Sequence, residues 1–131
     1  MSSIKETILN NSKTVAVVGL SSNPERPSNI AAGYLKDHGY TIIPVNPNEK
    51  KVFGLASYPD LTSIPQKVDV VQIFRKSEDV PPLVEDAIKI GAKAVWMQEG
   101  VVNEAAAKRA LSAGIAVVMD KCMKKEHQKL A

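Results

Sequence analysis

The stretch TVAVVGLSSNPERPSNIAAGYL, residues 14–35, carries a valine-rich apolar run, Val15 to Val18, into Gly19 at the point where a strand turns toward a helix. A dinucleotide-binding turn of the G-x-G-x-x-G kind would continue with glycines at the third and sixth positions. Ser21 and Pro24 stand there instead, followed by Arg26, Pro27 and Ser28. Gly19 permits a tight exit from the strand. A helix starting near Pro27 or Ser28 aims its free N–H groups and the positive end of its dipole at whatever occupies the loop. Ser21 and Ser22 bring hydroxyls that donate to phosphate oxygens, and Arg26 brings a permanent charge of fork geometry. Two prolines stiffen the loop, so less entropy is lost on binding. The loop has the chemistry of a phosphate site without the usual glycine pattern. The competing reading is an ordinary polar turn and helix cap with Arg26 in water.

Beyond this stretch, short apolar runs alternate with segments of helical period. Strands are expected at Val15–Val18, Thr41–Val45, Asp69–Ile73, Ala94–Met97 and Ile115–Met119. Each is continuously apolar rather than alternating, as in a parallel sheet buried on both faces. The spacing of Ile30 with Tyr34 and of Ala31 with Leu35 predicts a helix over 28–38 that stops at Gly39. Another is expected over 79–90, with Pro81 and Pro82 in the first turn and Gly91 after the end, and a third over Glu104–Ala113, capped by Asn103 and closed by Gly114. Shorter helices fit Ile4–Leu9 and Met123–Leu130, while KKVFGLASYPDLTSIPQ, residues 50–66, reads as loop with one helical turn. The expected fold is α/β: a Rossmann-like, three-layer open parallel sheet of about five strands in the order 3-2-1-4-5, helices on both faces and ligands at the carboxyl ends of the strands.

Composition narrows the function. At 131 residues the chain is the size of one domain spanning 1–131, able to bury roughly two thirds of its unfolded surface. It is 44% hydrophobic and 24% charged, with no apolar run of membrane length and no signal-peptide core in MSSIKETILNNSK. A cytoplasmic protein with no membrane partner is expected. One cysteine, Cys122, and two distant histidines, His38 and His127, give neither a disulfide nor metal-ligand spacing. The net charge of +3 suits a small polyanion as well as a nucleic acid, but aromatics at 5% are too sparse for a stacking platform. Nucleic acid is therefore not an expected partner.

The loops after the later strands refine the ligand. An NAD site carries an acid at the end of the second strand to bind ribose hydroxyls, whereas here the strand ends in Val45, Asn46 and Pro47. Asn46 and Pro47 offer a neutral edge and an apolar face to an adenine, Lys50 and Lys51 stand near for a further phosphate, and Glu49 leaves NAD weakened rather than excluded. After the third strand, Phe74 or the Arg75 guanidinium can stack a base, with Lys76 beside them. After the fourth, Gln98, Glu99, Gly100 and Val101 form a glycine turn that lets a ligand chain approach. No catalytic constellation emerges. Cys122 and His127 are five apart, off a common helix face, and Cys122 reads as a small buried residue. Asp120, Lys121 and Glu126 read as capping and pairing groups for the last helix.

The segments VVGLSSNPERPS, GYTIIPVNP, DVVQIFR, AIKIGAKAVWMQEGV and GIAVVMDKC, in that order, resemble the small stand-alone CoA-binding proteins, which are similar to the N-terminal domain of the succinyl-CoA synthetase alpha subunit. The resemblance covers almost the whole chain. It implies that Gly19, Ser21, Ser22, Arg26 and Ser28 bind the pyrophosphate region and that Val45, Asn46 and Pro47 lie beside the nucleotide. It further implies that Phe74, Arg75 and Lys76 enter the site and that Gln98, Gly100 and Val101 border the pantetheine path. The synthetase transfers phosphate through a histidine of a second domain, for which this chain leaves no room, so the resemblance implies binding of CoA or an acyl-CoA without catalysis by this chain alone. The alternatives are an NAD(P)- or nucleotide-binding protein, or a subunit of a CoA-dependent enzyme acting with a partner chain. Acyl preference, biological role, and a homo-oligomer or other protein partner stay open.

Overall fold

Parallel strands packed between helices form the frame of the computed structural model, which describes residues 3–130; Met1, Ser2 and Ala131 lie outside the described residues. In chain order the elements are α1 (Ile4–Asn11), β1 (Thr14–Val18), α2 (Pro27–Asp37), β2 (Thr41–Val45), β3 (Lys51–Val52), β4 (Leu55–Ala56), β5 (Val70–Ile73), α3 (Val80–Lys89), β6 (Ala94–Met97), α4 (Glu104–Ser112), β7 (Ala116–Val118) and α5 (Met123–Gln128). Short 3₁₀ turns occupy Leu61–Ser63 and Ser77–Asp79.

Alternation along each strand divides the core between two faces. Ala16, Val18, Val71, Ile73, Val95 and Met97 pack with Val80, Val84, Ala106 and Ala110 of α3 and α4. Val15, Val17, Val70 and Trp96 pack with Ile8 and Leu9 of α1, Ala32 and Leu35 of α2, and Met123 of α5. The three-layer α/β class expected from the sequence is the one observed.

The strand order differs from the expected 3-2-1-4-5. The sheet runs β2-β1-β5-β6-β7, so its third strand in sequence returns past β1 instead of extending the sheet beyond β2. Handedness explains the reversal. Helix α2 crosses one face between β1 and β2, whereas the connection from β2 to β5 seats Leu61, Ile64 and Val68 in the core of the opposite face. A right-handed crossover on the opposite face must step in the opposite direction. Pro44 marks β2 as an edge. Its carbonyl accepts from Tyr58 N–H at 3.0 Å on the side away from β1, so the ring that replaces its own N–H also faces outward, where a further full strand would need a donor. Among the described residues, a single parallel bridge, Val45 with Tyr58, forms on that side.

The segment over 50–66, expected as loop with one helical turn, contains that turn and also the β3–β4 hairpin. Its two central residues, Phe53 (φ 57°) and Gly54 (φ 74°), are both left-handed, the geometry that matches the twist of a two-residue hairpin. Phenylalanine is an unusual choice there. Its ring packs over Gly33 of α2, lying 3.6 Å from where a methyl group on that glycine would stand.

Candidate functional site

Register brings the loops together. Val18 pairs with Val45 on one side and with Ile73 on the other, and Ile73 pairs with Met97. The next residues, Gly19, Asn46, Phe74 and Gln98, therefore leave the sheet abreast at its carboxyl rim. All four line one cleft of about 840 Å³. It lies where β1 parts its neighbours, with one crossover on each face, the place where open α/β sheets bind ligands.

On the β1 side the cleft is walled by Gly19, Ser21, Arg26, Pro27 and Ser28. Gly19 has φ +88°, and a methyl group on it would stand 2.5 Å from the Phe74 carbonyl oxygen and 3.4 Å from Arg75 Nε. Only glycine fits between the two strands at this point. The loop is held from within: Ser28 Oγ accepts from Ser21 N–H at 3.1 Å, Ser21 Oγ from Asn23 N–H at 3.1 Å, and Asn29 Nδ2 donates to the Ser21 carbonyl at 2.8 Å. At the entrance of α2, Arg26 is the N-cap residue, Pro27 occupies the first turn, and no side chain caps the helix. Its amino end and dipole are thus open to an anion.

The β2 loop contributes Asn46, but its polar atoms are engaged. Nδ2 donates to the Leu20 carbonyl at 3.0 Å and Oδ1 accepts from Asn48 N–H at 3.0 Å, bracing the first loop rather than presenting a free edge. Glu49 turns toward the same loop, where its Oε2 accepts from Ser22 N–H at 2.7 Å. Ser22, Val45, Pro47 and Gly100 are not part of the cleft lining: Val45 is buried in the core, while Ser22, Pro47 and Gly100 are exposed. Gly100 (φ +82°) shapes the turn, its N–H donating to Asp120 Oδ1 at 2.7 Å.

Past β5 come Phe74, Arg75, Lys76 and Asp79. Phe74 also packs on the α1/α2/α5 core, so it is at once core and cleft wall. Among the described residues, Arg26, Arg75 and Lys76 form no salt bridge. Three unpaired cations thus share a cleft with an open helix amino end. They outnumber the two acids of the lining, Asp79 and Glu99, and Glu99 is itself paired with Lys125, so an anion in the cleft would relieve their mutual repulsion.

The β6 and β7 loops close the other end with Gln98, Glu99, Val101 and Cys122. Beneath them Gln72, 0% exposed, donates through Nε2 to Gln98 Oε1 at 2.9 Å. Gln98 Oε1 also accepts from Met123 N–H at 3.1 Å, which ties α5 to the cleft floor. The Gln72 Oε1 finds no partner among the described residues. Glu99 is paired with Lys125 at 2.9 Å.

Pro27, Asp79, Glu99 and Cys122 join the cleft without having been singled out for it by sequence. Cys122, expected as a small buried residue, is half-buried and faces the cleft because it is the N-cap residue of α5, at the carboxyl side of β7. Asp120 also differs in role, while Glu126 keeps the pairing expected of it on the last helix. Asp120, at φ +58°, fastens the Gly100 turn, and Glu126 binds Lys5 at 2.9 Å and Lys129 at 3.0 Å. The Lys5 ammonium, opposed by burial and aided by Lys129, holds the Glu126 carboxyl below its ordinary range. Among the described residues no group of three potential metal ligands occurs, and no helix is long and apolar enough to cross a membrane.

Comparison with known proteins identifies the family. The family model described as CoA binding domain matches residues 13–128. The uncharacterized protein YneT of Bacillus subtilis (strain 168) is 41% identical over 124 residues, covering 95% of this chain and 91% of that protein. A solved structure, a hypothetical protein from Pyrococcus horikoshii OT3, superposes with a TM-score of 0.93 at 44% identity, over 96% of this chain and 89% of that one. The ADP-forming acetate–CoA ligase II of Archaeoglobus fulgidus is 35% identical over 95 residues, which are 70% of this chain but 14% of the ligase. The chain belongs to the CoA-binding domain family.

Proposed function

We propose that this protein binds CoA or an acyl-CoA across the carboxyl rim of its sheet, as a single cytoplasmic domain without catalysis of its own. The pyrophosphate rests on the first loop and the amino end of α2, near Arg26 and Arg75, and the base stacks against Phe74 or Arg75. The pantetheine arm runs past Gln98 and Val101 toward β7. The observation that carries this reading is the convergence of Arg26, Arg75 and Lys76, all without acidic partners among the described residues, on one cleft with an uncapped helix amino end. The nearest acid of the β2 loop, Glu49, is turned to Ser22 N–H and away from a ribose clamp.

Calorimetry with CoA, acetyl-CoA, NAD and NADP tests it. Saturable heat with the CoA compounds and none with NAD is the expected result, and tight NAD binding with no CoA response overturns it. The relation to an ADP-forming ligase supports a second reading, a CoA-holding subunit that serves a catalytic partner chain. Turnover appearing only when a co-purifying chain is added back would favour that reading.

A further inference from the structure

Cys122 is the chain's one cysteine, and it sits in the cleft without a role in the anion chemistry at the other end. Its surroundings hold it firmly. The carbonyl of Lys121 accepts from Trp96 Nε1 at 2.9 Å, the carbonyl of Cys122 accepts from Glu126 N–H at 2.9 Å, and Met123 N–H donates to Gln98 Oε1 at 3.1 Å. Gln98 supplies an independent sign of a ligand at this end. The residue is 5% exposed and lines the cleft. Because Oε1 takes both Gln72 Nε2 and the main-chain N–H of Met123, the amide can point only one way, and its Nε2 donates to no protein group among the described residues. An unpartnered amide donor on a mostly buried residue that lines an open cleft is a site for a ligand carbonyl.

Distance decides which carbonyl. From β1, where the phosphate loop begins, to β7, where Cys122 follows, there are three steps across the sheet, about 14 Å at the usual strand spacing. In CoA, about thirteen bonds separate the inner phosphorus from the sulfur, an extended reach of roughly 15 Å at the advance per bond of an extended chain. The last amide carbonyl of the arm lies about 5 Å short of the sulfur by the same measure, so a carbonyl held by Gln98 Nε2 leaves the sulfur beside Cys122.

Resting on the CoA reading above, we propose that Cys122 is a covalent attachment site for CoA through thiol–disulfide exchange, with the disulfide of CoA as the co-reactant. The Cys122 thiolate attacks one sulfur of the CoA disulfide along the S–S axis. The Cys122–CoA disulfide forms as the CoA–CoA disulfide breaks, and the second CoA leaves as a thiolate that takes up the proton Cys122 gave up. One disulfide is consumed and one is made, so no further oxidant is needed. The bound nucleotide supplies proximity, and a free thiol reductant reverses the attachment.

The test compares rates on the intact protein, followed by whole-protein mass measurement. CoA disulfide should add one CoA moiety per chain, none in Cys122→Ser, and should react about 100-fold faster than pantethine, the disulfide of the same arm without the nucleotide. Excess desulfo-CoA, which carries no thiol but fills the same arm path to Cys122, should suppress the reaction with both disulfides. Equal rates for the two disulfides, or no suppression by saturating desulfo-CoA, overturn the proposal. Calorimetry of desulfo-CoA separates the two levels: binding with equal rates removes the exchange site and keeps the CoA reading, whereas absence of binding removes both.

Discussion

The Glu49 carboxylate accepts a 2.7 Å hydrogen bond from the main-chain N–H of Ser22, joining the loop after β2 to the loop after β1. An acid in this part of a doubly wound sheet could have clamped a ribose; here it braces the loop after β1. Glu49→Ala should therefore leave NAD without measurable binding, as in the parent protein. It should weaken CoA binding by about 0.5 to 1.5 kcal/mol, the worth of an ordinary hydrogen bond that orders the loop. Calorimetry of both ligands on both proteins decides it. A gain or loss of NAD affinity on this substitution would show that Glu49 faces a ribose after all.

Gly19 and Gly33 should respond to alanine with opposite signs. Gly19→Ala places a methyl group 2.5 Å from the Phe74 carbonyl at φ +88°, a backbone and steric conflict of roughly 1 to 3 kcal/mol. Gly33 lies within α2 at a helical φ, with only the Phe53 ring near, at 3.6 Å. Gly33→Ala should raise stability by about 0.5 to 1 kcal/mol through helix propensity. Urea denaturation of the two variants checks both signs.

Arg26 and Arg75 approach the cleft from different loops and have no carboxylate partner among the described residues. Each replaced by alanine should weaken CoA binding by about 1.5 to 3 kcal/mol, the range for a charged hydrogen bond, with the unfolding midpoint little changed. The affinity of the parent protein should also fall as salt is added, and less steeply in either variant. An unchanged affinity for Arg26→Ala would place its side chain in solvent.

Helices α2 and α5 meet through a cluster of rings. Tyr34 Oη lies 2.7 Å from His127 Nδ1, Tyr34 stacks on His38 at 4.0 Å, and His38 and Tyr40 sit edge-on to His127 at 5.4 and 5.7 Å. Lys124 adds a cation above Tyr34 at 5.9 Å. Burial, and then the neighbouring His38, hold the His127 imidazole below its ordinary 6.5. The unfolded chain consequently takes up this proton first as pH falls. The stability linked to His127 is full above about 6.5 and is lost as pH drops through the lower folded value. Urea midpoints measured between pH 7.5 and 5.5, where carboxylates stay ionised, should decline more steeply in the parent than in His127→Gln. Equal slopes would mean that the imidazole titrates as it does in water.

Much of this architecture was legible because it rests on local chemistry. Continuous apolar runs identify the strands, and Thr41–Val45 and Ala94–Met97 have the expected bounds. Asn103 caps α4 through a bond from Ala106 N–H at 2.9 Å, and the paired prolines open α3 as expected. Pro44 was a legible signal of an edge strand that the expected order overlooked. The β3–β4 hairpin was hidden because its turn uses Phe53, a residue that pays for its left-handed backbone only by packing on Gly33.

By itself, the sequence determined the layers, the helix ends and the cation-bearing glycine turn after β1, since periodicity, capping and side-chain charge act over a few residues. Tertiary structure decided the direction in which the third strand of the sheet returned, because that depends on which face Leu61, Ile64 and Val68 bury. It also decided which of the chosen polar residues are free for a ligand. Asn46 and Glu49 are turned to Leu20 and Ser22, while Gln98 and Cys122 come to the cleft from strands that only the sheet makes neighbours. Hydrogen-bond partners far apart in the chain have no period to read.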